Sequence, residues 1–141
     1  MTSTDRAAEA LAHAFDFWLG EWEVHDPQGR HVGRNSVTAP FATGAVAEHW
    51  RGDGGVVGHS LSAWDAERGC WHQTWMDSTG GVLLLDGDVR GGAMVLEGID
   101  ADARQRITWT VEGDAVRQLW ESSKDDGETW VVAFDGRYRR S

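Results

Sequence analysis

Phe15-Asp16-Phe17-Trp18-Leu19-Gly20-Glu21-Trp22-Glu23-Val24 crowds four large rings around a single glycine. Gly20 lets the chain turn tightly, and Trp22 then drives its ring into whatever the following strands enclose. From Gly20 onward the period is two, Trp22 and Val24 alternating with Glu21 and Glu23. The stretch therefore reads as an aromatic plug running into a first strand. A plug implies something to close, and the expectation is a barrel.

Upstream, residues 4–14 carry a helical pattern, with Thr4 as cap, Asp5 in the first turn and Ala7, Ala8, Leu11, Ala12 and Phe15 on one face. That helix is expected to lie across one end of the barrel. Downstream, strand patterns fall at about 30–40, 44–52, 56–64, 70–77, 82–90, 92–100, 104–112, 115–122 and 129–139. Turns such as Asp26-Pro27-Gln28-Gly29, Gly52-Asp53-Gly54-Gly55 and Gly113-Asp114 separate them. Gly87, inside a strand, predicts a bulge or a close approach. Short connections favour an up-and-down meander, and closing it removes the edges an open sheet would have to protect. The expected fold is all-β: one domain over residues 1–141, a roughly ten-stranded antiparallel up-and-down barrel with one N-terminal helix.

The chain is acidic, with 23 Asp and Glu against 13 Lys and Arg and a net charge of −10. That charge disfavours nucleic acid and anionic membranes as partners. Cys70 is the only cysteine, so no internal disulfide forms. No apolar run reaches the ~18 residues of a membrane helix, and no signal-peptide pattern opens the sequence; a cytoplasmic protein is expected. Nine tryptophans beside 18 glycines are the anomaly. They point to a bulky aromatic core or to a ring-lined cavity.

Gly20-Glu21-Trp22 at the head of the first strand, with Arg137, Arg139 and Arg140 ending the last, resembles the lipocalin and calycin pattern. That resemblance implies a Trp22 ring packed against Arg137 or Arg139 at the closed end of the barrel. Together with Trp71-His72-Gln73-Thr74-Trp75-Met76-Asp77 and Phe134-Asp135-Gly136-Arg137-Tyr138-Arg139-Arg140, the opening stretch is similar to a family of small bacterial proteins with a lipocalin-like barrel and no agreed activity. Nitrobindin-type barrels are related and hold haem through a histidine on a late strand. Here no histidine follows His72, which disfavours haem, and no cofactor is expected. Ser123-Lys124-Asp125-Asp126-Gly127-Glu128-Thr129-Trp130 resembles the Asp-box of sialidase propellers. One copy without a repeating blade reads as a stiff hairpin, not a glycosidase signature.

The most suggestive constellation is Gln73 and Trp75 with Trp109, Gln118 and Trp120. Strand alternation turns these inward together, giving an aromatic cavity with a few polar groups. The plainer alternative is a packed core whose glutamines serve the indole N–H groups. Glu48, between Val46 and Trp50, is either an inward carboxylate with a raised pKa or a solvated surface group. His59, on the face of Leu61 and Ala63, is either a ligand-orienting group or a hydrogen-bonded core residue. No metal-ligand spacing, nucleophile elbow or phosphate loop is present.

The leading expectation is a module binding a small apolar or aromatic molecule through Glu48, His59, Gln73, Trp75, Trp109, Gln118 and Trp120. An enzyme on the same barrel, using Glu48, His59 or Asp77 for acid–base chemistry such as isomerisation, cyclisation or hydrolysis, is the alternative. A third reading is a filled barrel that self-associates through a face such as that of Leu119 and Val82; monomer and homodimer both stand.

Overall fold

A computed structural model describes residues 2–141. Its strands are β1 (Gly20–His25), β2 (His31–Thr38), β3 (Val46–Gly52), β4 (Val57–Asp65), β5 (Cys70–Asp77), β6 (Val82–Arg90), β7 (Ala93–Asp100), β8 (Ala103–Glu112), β9 (Ala115–Ser123) and β10 (Val131–Arg140). Each pairs antiparallel with the next, and β1 pairs with β10 to close the barrel. The fold is the ten-stranded up-and-down barrel that alternation and turn spacing predict.

The helix α1 (Ser3–Ala12) is capped two residues earlier than the sequence suggests, at Thr2 instead of Thr4. Thr2 Oγ1 accepts from the Asp5 amide at 3.1 Å, while Asp5 accepts from the Thr2 amide at 3.2 Å, forming a capping box. The helix contacts β4 and buries none of its residues. Its last carbonyls press on the β2–β3 loop at Gly44, where φ is +104° and a Cβ would stand 2.0 Å from the Ala12 oxygen. Only glycine fits there.

The plug proper is the 3₁₀ turn Asp16–Trp18 with Phe15 before it. Phe15 and Trp18 are fully buried and stack at 5.1 Å. Trp71 and Trp109 meet Phe15 edge-on at 5.7 and 5.0 Å. Trp22 Nε1 donates to the Trp18 carbonyl at 2.8 Å, and Trp71 Nε1 to the Leu11 carbonyl at 3.1 Å, tying plug to wall. Over Trp22 lies Arg140, its guanidinium carbon 4.2 Å from the ring centroid. This corrects the expected partner, Arg137 or Arg139. On β10 Gly136 and Tyr138 point inward, so Arg140 shares their face while Arg137 and Arg139 point out.

Because the plug enters β1 from one end, the β1–β2, β3–β4, β5–β6, β7–β8 and β9–β10 turns all ring the opposite end. The Asp-box hairpin is one of these. Asp125 accepts from the Ser123 hydroxyl and the Thr129 amide, each at 2.8 Å, and also from the Thr129 hydroxyl. Arg106 stacks on Trp130 at 3.9 Å. It is the stiff hairpin expected, and Asp125 is held well below the usual carboxylate range, at about 2, chiefly by the Thr129 hydroxyl.

Candidate functional site

Inward positions on successive strands form tiers along the barrel. Nearest the plug, Trp22, Val46, Trp71, Met94 and Trp109 pack as a dry aromatic core. In the middle come Asn35, Glu48, Ser60, Ser62, Gln73 and Tyr138, all buried. Toward the open end, Trp50, Trp75, Trp120 and Phe134 are each half-buried and surround a cavity of about 180 Å³. Glu48, Gln73, Gln118 and Tyr138 line its polar side, Leu83 and Ile107 part of its apolar side.

Glycine makes room for the rings. A Cβ at Gly33 would stand 2.4 Å from the Trp50 ring, one at Gly58 2.0 Å from Trp75, and one at Gly136 2.6 Å from Phe134. Real side-chain carbons do not approach that closely, so each of these three rings occupies space that only a bare backbone leaves. The ring edges are then tethered. Trp75 Nε1 donates to Asp77 at 2.9 Å and Trp120 Nε1 to Gln105 at 2.7 Å.

Glu48 is the electrostatic centre of the site. It is 5% exposed, and the strand register sets it against Val37 of β2 and Ser60 of β4. Ser60 Oγ donates to Oε1 at 2.7 Å, and Asn35 Nδ2 to Oε2 at 2.6 Å. The same Asn35 nitrogen donates to the Tyr138 hydroxyl at 2.8 Å. Burial raises the Glu48 carboxyl to about 7 against the opposing pull of those two donors. Burial, and then the nearby Glu48 charge, push the Tyr138 phenol upward, so it stays protonated.

Of the residues singled out in the sequence, Glu48, Gln73, Trp75, Gln118 and Trp120 meet around one cavity. Trp109 does not. It points inward as alternation requires, but it sits in the plug tier against Phe15 and Trp18, fully buried. His59 is a correction of the opposite kind. Its face of β4, shared with Leu61 and Ala63, is the outer one; His59 is exposed and stacks on His49 at 4.2 Å outside the barrel. The inner face of β4 is Gly58, Ser60 and Ser62, which looks polar only until its partners are known. Asp77 lies at the rim, where Thr79 and the Trp75 indole lower its pKa; it holds the turn and one ring.

Gln105 serves the Trp120 indole, but Gln73 and Gln118 do not serve indoles as a packed core would have them do. Gln73 Nε2 donates to Ser62 at 2.9 Å, and Gln118 Oε1 is buried with no donor. Asn35, Trp50, Ser60, Phe134 and Tyr138 are the site residues that sequence reasoning missed. The alternation Gly33-Asn35-Val37 and the Glu48–Ser60 register carry that information, once neighbouring strands are aligned. Among the described residues, no three His, Cys, Asp or Glu side chains converge to hold a metal ion.

No protein-family model matches this chain, and no curated protein matches it either.

Proposed function

We propose that this is a lipocalin-like binding module that takes a small apolar or aromatic molecule into the cavity between Trp50, Trp75, Trp120 and Phe134. The observation that carries this reading is the seating of three of those rings on Gly33, Gly58 and Gly136. Three inward strand positions forgo a side chain so that flat rings can line a space of about 180 Å³. Strand glycines weaken a sheet, and a barrel built only to be filled would place branched side chains there. The size suits a one-ring molecule: a dry cavity of roughly 150 Å³ takes benzene. Buried polar groups at the cavity floor orient the guest and apolar ring faces hold it.

The test is native mass spectrometry of the purified protein, with titration of tryptophan fluorescence by phenol and benzyl alcohol. A retained mass, or a saturable emission change that Trp75→Ala and Trp120→Ala weaken, is the expected result. The absence of both a retained mass and any emission change up to millimolar probe would overturn the reading.

One observation favours a second reading, acid–base catalysis in the same cavity: Glu48 is a buried carboxyl with a pKa of about 7. On that reading a molecule retained by the protein is chemically altered on incubation with the wild type and unaltered with Glu48→Gln. Recovery of the unaltered molecule from both counts against it.

A further inference from the structure

Among the described residues Glu48 has no counter-ion. β2 presents Asn35 to it, β4 presents Ser60 and β10 presents Tyr138; of these only the phenol titrates, and it is held neutral. Arg140 shares the inner face of β10, but it is engaged at the plug end by the Trp22 ring and the Leu19 carbonyl; the other charged and basic side chains of these strands point away. Arg34 and Arg51 are exposed, as are His59, Arg137 and Arg139, and His49 stacks on His59 outside the barrel. Among the described residues no Lys, Arg or His forms an ion pair with Glu48, and none lines the cavity. A carboxylate this buried without a cation is strongly disfavoured unless something neutralises it.

The surrounding groups ask for the same complement. Asn35 Oδ1 and Gln118 Oε1 are buried acceptors with no donor. With Glu48 ionised, turning Asn35 would set its carbonyl against the carboxylate, so in the charged state the amide keeps this orientation. In that state the Glu48 carboxylate and Asn35 Oδ1 are acceptors at the cavity floor that a ligand rich in N–H groups serves. Above the floor the faces of Trp50, Trp75 and Trp120 are electron-rich, and such faces attract cations. An anionic ligand would meet Glu48 with nothing to offset it.

We propose that the molecule held in this cavity is a small organic cation, an ammonium or amidinium group on a single ring, with its charge on Glu48 and its ring between Trp75 and Trp120. This rests on the small-molecule binding reading above and names the ligand's chemical class. Seating the cation favours the ionised carboxylate, so a protonated Glu48 must release its proton to bind. Affinity then weakens as pH falls below the Glu48 pKa, by about tenfold per pH unit.

The probes are benzylammonium, benzamidinium, benzyl alcohol and benzoate, which share one ring and differ in charge. Calorimetry at pH 8 is expected to give both cations at least about tenfold tighter binding than the alcohol, with benzoate undetectable. In wild-type protein at pH 6, two buffers of different ionisation enthalpy should report close to one proton released per benzylammonium bound and none for the alcohol. Glu48→Gln should bring cation and alcohol to similar affinity. If the alcohol binds as tightly as the cations and no proton is released, the cation is excluded while the binding module stands. If none of the four probes binds and no mass is retained, both readings fall. The proton count needs no variant, so it decides the matter even if Glu48→Gln folds poorly.

Discussion

Trp75 packs directly against Gly58, two residues on neighbouring strands, with its Cη2 atom 2.0 Å from where a Cβ at position 58 would stand. Gly58 pairs with Asp77 on β5, and Asp77 in turn holds the Trp75 indole N–H at 2.9 Å. The ring is thus fixed at its six-membered end by Gly58 and at its N–H by Asp77. Gly58→Ala is expected to cost about 1–3 kcal/mol and to lift the ring from the wall, changing the near-ultraviolet circular dichroism. Gly54→Ala, in an open turn with nothing within 4 Å, serves as the control and should stay within about 0.5 kcal/mol. Equal effects in urea unfolding would refute the close contact.

Glu48 makes the stability of the empty protein depend on pH with an unusual sign. Its folded-state pKa of about 7 lies above its ordinary 4.5. Across that window the folded chain keeps a proton that the unfolded chain releases, so stability falls as pH rises. At roughly 1.4 kcal/mol per pH unit, the loss approaches about 3 kcal/mol by pH 8. Glu48→Gln carries no such dependence. Urea titrations at pH 5 and pH 8 should show the variant gaining about that much relative to wild type, and a constant difference between the two proteins would contradict it.

Arg140 covers Trp22 and donates from Nη1 to the Leu19 carbonyl at 3.0 Å, so it clasps the plug to the last strand. It is exposed, which limits its contribution. Arg140→Ala should destabilise by about 1 kcal/mol in chemical unfolding. Arg137→Ala and Arg139→Ala, whose side chains point outward, should change little, within roughly 0.5 kcal/mol. The reverse ranking would restore the partner assigned from sequence.

Asp125 organises the β9–β10 turn as an ionised acceptor. With its pKa lowered to about 2, its contribution is complete above the ordinary 3.8 and is lost as pH falls toward 2. Hydrogen exchange at pH 5 should show the Gly127 and Thr129 amides protected in wild type and faster in Asp125→Ala, with β1 and β2 amides unchanged. Uniform acceleration throughout the barrel would mean the hairpin is not an independent unit.

The strands and their closure were legible because alternation and glycine turns are local signals, and the Trp22, Trp75 and Trp120 faces were assigned from them. What alternation does not give is height along the barrel axis or which face is inner. Trp109 was placed on the right face and the wrong tier, since the tier depends on how far each strand is staggered against its neighbour. His59 went to the wrong side because the inner face of β4 is glycine and serine, small groups that yield space to Trp75 and hydrogen bonds to Glu48. Asn35, in the strand expected at about 30–40, gives no local sign of its role for the same reason: it faces a polar interior that only the register reveals.

The pairing of β1 with β10 joins residues that nothing local brings together; Leu19 and Arg140 stand 121 positions apart. Each hairpin between them can zip from its own turn, but the two outermost strands meet only after the whole ribbon has curled. Closure is therefore a late step in folding. Until it happens β1 and β10 are both open edges, and a chain caught at that stage offers them to its neighbours. Refolding yield should fall with protein concentration much more steeply than the stability of the finished barrel would suggest.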